Sequence, residues 1–293
     1  MACYKPLKAW RVPARPGSPP SLTFNRNIGA VDLPQVNVPC GRCIGCRISR
    51  AKEWAARLAD EATLHSDVWF LTFTYSDEHL PANRSLSKET MQKAIKRMRK
   101  NIGLFRYYLC GEYGDLFGRP HYHMICFGLK FDSLKLVSLR KRLYNNDLLT
   151  KSWGFGHVTI QYATPKTMEY TARYVLKKQW GSKAEAHYNG LLPEFNMMSL
   201  KPAIGRNYAL SNSGDFIHKG YYHLNGSKVK LPKYYKKLYE LTEPDLIAIL
   251  KAKARAAYRP EDNTPKRLEQ REECAKARAS RFTRNYEDGG FLL

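Results

Sequence analysis

Residues 105–128 read FRYYLCGEYGDLFGRPHYHMICFG. Two aromatic-rich runs, FRYYLCGEY (105–113) and PHYHMICFG (120–128), flank a turn containing Gly114, Asp115 and Gly118, a pattern that predicts a β-hairpin. Side chains alternate along a strand. His121 and His123 therefore share a face, about 7 Å apart along the chain, close enough to bind one metal ion. The hairpin brings a carboxylate, Glu112, beside them. Two imidazoles and one carboxylate make a divalent-metal set with open positions for substrate oxygens, and Mg²⁺ or Mn²⁺ suits phosphate chemistry. A bare His-x-His also fits two half-buried histidines held by their neighbours.

Moving outward, DVWFLTFTY (67–75) is rich in aromatic and β-branched residues and predicts a strand. Ser87 offers an N-cap for KETMQKAIKRMRK, whose Met91, Ile95 and Met98 fall on one helical face. A helix is expected around 133–145, a strand around 155–162, and a helix over 165–178 with Thr164 as N-cap and Pro165 at its first position. This order predicts an α+β core over 65–180, a mostly antiparallel sheet flanked by helices.

Residues 1–64 form a proline-rich arm, a cysteine cluster and a helix over 47–64. Residues 181–240 read as a loop-rich extension that contacts DNA. Residues 241–293 are charged and helical in pattern, fitting either a helical hairpin or a flexible basic tail.

The charge balance is the outlier of the composition. Forty-nine Lys and Arg against 26 Asp and Glu give +23, and the positive charges are interleaved with 19 tyrosines. That mixture suits a polyanion held by phosphate contacts and base stacking. At 43% hydrophobic residues the chain is not wholly disordered. No apolar run approaches the ~18 residues of a membrane span, and MACYKPLKAW lacks the apolar region of a secretory leader, so a soluble intracellular protein without a membrane partner is expected. Cys40, Cys43 and Cys46, with Cys3 as a fourth, have the gaps of a structural zinc site. An iron–sulfur cluster and unliganded thiols are the alternatives. Cys110, Cys126 and Cys274 read as structural.

In YTARYVLKK, Tyr170 and Tyr174 are four apart and share a helix face, with Lys177 and Lys178 continuing near that stripe. A phenol near a metal-polarised phosphate can act as nucleophile, leaving the DNA 5′-phosphate on its oxygen and releasing a 3′-hydroxyl, with a lysine stabilising phosphate or leaving oxygen. Ordinary aromatic packing gives the same spacing.

Together these stretches carry a resemblance. PHYHMICF resembles the His-hydrophobic-His motif of HUH endonucleases, WFLTFTY their first motif, and YTARYVLKK the paired-tyrosine motif of phage initiators. MACYKPL, PCGRCIGCR, PEFNMMSLKPAIGR and LPKYY are similar to stretches of the rolling-circle replication initiators of the Microviridae, gokushovirus type, and the resemblance spans about residues 1–240 in order. It implies a five-stranded antiparallel sheet with RRM-like connections. It implies nicking of the viral plus strand at its origin, covalent attachment through tyrosine, and rejoining that releases circular single-stranded DNA. His121 and His123 would be the paired metal ligands, Glu112 the third, and Tyr170 and Tyr174 the nucleophiles. Asp115 and His157 compete with Glu112. The implied partners are viral origin DNA and the host replicative helicase, polymerase and single-strand binding protein, in the cytoplasm of a bacterial host.

Candidate DNA contacts are KETMQKAIKRMRK, RISRAK, the C-terminal helices, and then Lys201, Arg206, Lys228, Lys230, Lys233, Lys236 and Lys237. Two other readings compete. One is a non-catalytic single-stranded nucleic-acid binder that stacks bases on Tyr107 and Tyr108. The other is a plasmid or transposon enzyme of the same superfamily.

Overall fold

The computed structural model describes residues 3–12, 21–25, 35–114, 117–174, 178, 182–214, 220–224 and 227–283. The chain divides into two compact units, residues 1–50 with 258–293, and residues 51–257. In chain order the strands are β1 (Leu7–Val12), β2 (Ser21–Thr23), β3 (Val36–Val38), β4 (Val68–Tyr75), β5 (Arg106–Tyr113), β6 (Pro120–Phe127), β7 (Lys135–Ser138), β8 (Leu143–Asn145), β9 (Gly156–Tyr162), β10 (Phe195–Met198), β11 (Tyr221–Leu224) and β12 (Ser227–Lys230). The helices are α1 (Ile44–Ala62), α2 (Lys88–Asn101), α3 (Asp147–Trp153), α4 (Pro165–Arg173), α5 (Ser182–Tyr188), α6 (Arg206–Ser211), α7 (Lys233–Thr242), α8 (Pro244–Ala256) and α9 (Pro265–Thr283).

The architecture is α+β, as expected, with antiparallel sheets. The main sheet runs β10-β5-β6-β4-β9-β8-β7, and every pairing in it is antiparallel. It has seven strands rather than the expected five. The difference lies at one edge. Residues 133–145, expected as a helix, instead supply β7 and β8, with Arg142 at φ 49° in the tight connection between them. An open edge at β9 would leave main-chain N–H and C=O groups unpaired, and pairing them outweighs local helical periodicity. At the opposite edge, β10 arises from sequence that reads as loop and pairs with β5, Asn196 opposite Cys110. The proline-rich arm also contains strands: β2, β1 and β3 form a three-stranded sheet.

Period-two alternation divides the main sheet into two faces. One face carries Trp69, Leu71 and Phe73 of β4 and Tyr122, Met124 and Cys126 of β6, packed with Met91, Ile95 and Met98 of α2 and Trp153 of α3. Ser87 caps α2 by accepting from Thr90 N at 3.1 Å, as its sequence predicts. The other face carries Phe70, Tyr108, Ile125 and Phe127, covered by Leu58 of α1 and by Met168 and Ala172 of α4. Thr164 caps α4 in a reciprocal box with Thr167, and Pro165 opens it. The helix ends at Arg173, with Tyr174 as its C-cap, short of the expected residue 178.

Candidate metal centre

The hairpin register decides the site. Glu112 pairs with His121 and Cys110 with His123 across β5 and β6, while β4 places Thr72 opposite His123 and Thr74 opposite His121. These side chains lie on the face that α4 covers. Glu112 Oε1 sits 2.7 Å from His121 Nε2 and 3.1 Å from His123 Nε2. Ligand atoms of Glu112, His121 and His123 all lie within 4.8 Å of one another, a group that can hold a metal ion. Glu112 and His123 are buried and His121 is partly buried. Burial pushes the Glu112 carboxyl up, but the two histidine contacts outweigh it and hold it down at about 2.

The outer nitrogens fix how these rings point. His121 Nδ1 lies 3.0 Å from the Arg119 carbonyl oxygen. A carbonyl only accepts, so Nδ1 carries the hydrogen, and a neutral ring then turns a lone pair on Nε2 toward the Glu112 oxygen. Two acceptors 2.7 Å apart need a cation between them, a proton or a metal ion. His123 Nδ1 is held by the Thr72 hydroxyl at 3.0 Å. Ligating histidines are commonly oriented in this way, and the donor set fits a divalent ion. Arg119 ties the turn to the end of β4 through Asp77 and the Tyr75 carbonyl. Gly114 leaves the His121 ring its space, since a Cβ there would stand 3.3 Å from Cε1.

The tyrosines pack on this cluster. Tyr174 lies nearly parallel to His123, with ring centroids 5.3 Å apart, and Tyr170 is edge-on to His123 at 5.4 Å. The two phenols meet each other edge-on at 4.8 Å. Phe70 also lies nearly parallel to His123, at 5.4 Å.

Other expected residues divide. Lys177 and Asp115 lie outside the described residues, and Lys178 is half-buried beyond the end of α4. His157 pairs with Thr74, which pairs with His121, so two strand spacings, roughly 10 Å, separate the two histidines. It does not join the cluster. Tyr108 is fully buried and bonded to Asn196 at 2.7 Å, so it cannot stack a base. Lys201, Arg206, Lys228, Lys230, Lys233, Lys236 and Lys237 are all exposed; on α7 the buried Tyr235 and Tyr239 leave the lysines to the opposite side. Cys3, Cys40, Cys43 and Cys46 come together in the other unit. Cys110 and Cys126 are buried strand residues, whereas Cys274 is exposed. Thr72 and Phe70 are additions to the expected site. The alternation of WFLTFTY already places both on one face, but only the β4–β6 pairing shows which histidine that face meets.

This sheet, with a carboxylate–imidazole cluster beneath two phenols, defines a class of protein able to present a divalent cation and tyrosine hydroxyls to one substrate. The family model for the replication-associated protein ORF2 matches residues 68–179, which contain the whole cluster. The chain is 30% identical over 259 residues to "Replication-associated protein VP4" of Bdellovibrio phage phiMH2K, covering 84% of this chain and 79% of that one. It is 32% identical over 260 residues to "Replication-associated protein ORF2" of Spiroplasma virus 4, covering 80% and 79%. It is 31% identical over 214 residues to "Replication-associated protein ORF4" of Chlamydia phage 1, covering 69% and 53%. No solved structure matches significantly. The chain belongs to the family of phage replication-associated proteins. No helix among the described residues is long and apolar enough to cross a membrane.

Proposed function

We propose that this protein is a metal-dependent HUH endonuclease and strand transferase that starts rolling-circle replication by nicking the viral plus strand at its origin. Glu112, His121 and His123 hold Mg²⁺ or Mn²⁺. A divalent ion bound there would withdraw charge from a scissile phosphate and make ionisation of a nearby phenol less costly.

A tyrosine oxygen, from Tyr170 or Tyr174, attacks the phosphorus. The new O–P bond replaces the P–O3′ bond, the phenolic proton passes to the departing 3′ oxygen, and the DNA 5′-phosphate stays on the tyrosine. Attack by a 3′-hydroxyl on that phosphotyrosine reseals the strand and restores the phenol. Two tyrosines permit two linkages in succession, the requirement for releasing a closed single-stranded circle. Thr72 and the Arg119 carbonyl keep the imidazoles aimed, and Lys177 and Lys178 steady the phosphate. The proposed partners are origin DNA and the host helicase, polymerase and single-strand binding protein, in the cytoplasm of a bacterial host.

The observation that carries this reading is the direct packing of both phenols on His123. A base-binding role alone would require neither the histidine pair nor the tyrosine pair. The test is cleavage of a single-stranded origin oligonucleotide with Mn²⁺, read on a denaturing gel. Wild type should form a protein–DNA adduct that a chelator prevents. His121→Ala should lower adduct formation at least ~100-fold while leaving salt-sensitive binding largely intact. Equal cleavage by His121→Ala would reject the metal role.

A further inference from the structure

In the unit formed by residues 1–50 and 258–293, the Sγ atoms of Cys3, Cys40, Cys43 and Cys46 all lie within 4.8 Å of one another. We infer that these four thiolates hold one structural Zn²⁺ ion, which fastens the N-terminal strands to the start of α1.

Distance separates the candidate chemistries. A tetrahedral zinc with bonds of ~2.3 Å has sulfur–sulfur edges of about 3.8 Å. Cys3 Sγ and Cys43 Sγ are 3.9 Å apart. A disulfide needs about 2.05 Å, and all four cysteines are free thiols. An iron–sulfur cluster bonds its cysteines to different irons, which spreads the sulfurs wider than the edge of a single-ion tetrahedron.

The main chain around the sulfurs is arranged for thiolates. Cys40 N donates to Cys3 Sγ at 3.3 Å, and Tyr4 N donates to Cys43 Sγ at 3.4 Å. Arg42 N and Cys43 N both donate to Cys40 Sγ, at 3.4 and 3.3 Å. That double donation requires a tight turn after Cys40, which Gly41 supplies at φ +73°, a conformation costly for a residue with a Cβ. Such donors favour sulfur anions and orient them as ligands. Cys46 lies in the first turn of α1, where the helix dipole also favours negative charge.

Packing shows what the ion would supply. Among the described residues up to Arg50, the buried side chains are those of Cys3, Ala9 and Cys43. A three-stranded sheet resting on one alanine has almost no apolar core to hold it, and in small metal-bound elements the binding free energy of the ion takes that role. Cys3 precedes β1 and the other three follow β3, so one ion closes the β1–β3 segment at both ends.

The assignment does not depend on the nicking chemistry, and its test keeps the two sites apart. The full chain, purified under reducing conditions without added metal, is assayed for metal by mass spectrometry. About one zinc per chain is expected for wild type and for the double variant His121→Ala/His123→Ala, and loss of zinc for Cys40→Ser/Cys43→Ser. Zinc lost from the histidine variant but kept by the cysteine variant would overturn the assignment, as would stoichiometric iron or metal-free protein with four reduced thiols. Because the cysteine variant can fail to fold, Co²⁺ is also exchanged into the intact histidine variant. Thiolate-to-cobalt charge-transfer bands with intense tetrahedral d–d bands, bleached by added Zn²⁺, are expected. A weak octahedral spectrum without charge transfer would contradict thiolate ligation.

Discussion

His123 and Tyr174 lie face to face, their ring centroids 5.3 Å apart and their planes 9° from parallel. The contact buries the phenol, which is 3% exposed. Burial first, and then the negative charge of Glu112, push Tyr174 well above the ordinary range of a tyrosine, so its hydroxyl keeps its proton in this arrangement. Tyr170, one helical turn earlier, is only half-buried. The two phenols share a cluster but not its accessibility.

That asymmetry predicts an order of attack. Tyr170→Phe should slow the first cleavage of an origin oligonucleotide by at least ~10-fold, because the exposed nucleophile is gone. Tyr174→Phe should leave that first step within a few-fold of wild type and impair the second transfer instead. Single-turnover adduct formation, followed by release of joined product, separates the steps. A Tyr174→Phe variant that fails at the first step would reverse the assignment.

Thr72 is a positioning residue, acting through His123. Its hydroxyl is 3.0 Å from Nδ1, and Thr72→Val keeps the shape while removing that partner. Loss of such an outer contact commonly weakens metal affinity ~10–100-fold. The Mn²⁺ concentration for half-maximal cleavage should rise in that range, with little change in rate at saturating metal. Thr72→Ser should restore the wild-type requirement. An unchanged metal requirement in Thr72→Val would remove Thr72 from the site.

Glu61 makes stability sensitive to acid. Its carboxylate accepts from Arg106 Nε and, at 2.7 Å, from Gly205 N, tying α1 to β5 and to the chain before α6. Burial raises its pKa, but these donors win and the net shift is downward. A carboxylate held below its unfolded value adds stability above about pH 4.3 and loses it as pH falls through the lowered folded value. Glu112, held at about 2, acts in the same window. Glu61→Gln should therefore destabilise the protein by about 3 kcal/mol at neutral pH and flatten, without abolishing, the loss of stability below pH 4.3. Urea unfolding across that range checks both signs.

Residues 105–128 make the hairpin legible because its pairing is local: turn residues and alternation set Glu112 opposite His121 without any distant partner. The position of β4 beside β6 is not local, since α2 and β5 intervene, so Thr72 and Phe70 stayed out of reach. The same limit hides β10, whose four residues become a strand only when β5 offers an edge. At 133–145 the apolar spacing suits a helix, yet Leu136, Val137 and Leu139 end up exposed while the backbone extends the sheet. The cap of α4 was readable from Thr164 and Pro165; its end at Arg173 was not, because no stop signal stands there.

The most direct test of the central claim is to locate the covalent bond. The protein is incubated with Mn²⁺ and a single-stranded origin oligonucleotide, digested with protease and nuclease, and its peptides are sequenced by mass spectrometry. A nucleotide 5′-phosphate on Tyr170 or Tyr174, absent from Tyr170→Phe/Tyr174→Phe and from His121→Ala, is the predicted result. A nucleotide carried by any other residue, or the same adduct formed without divalent metal, would contradict the account.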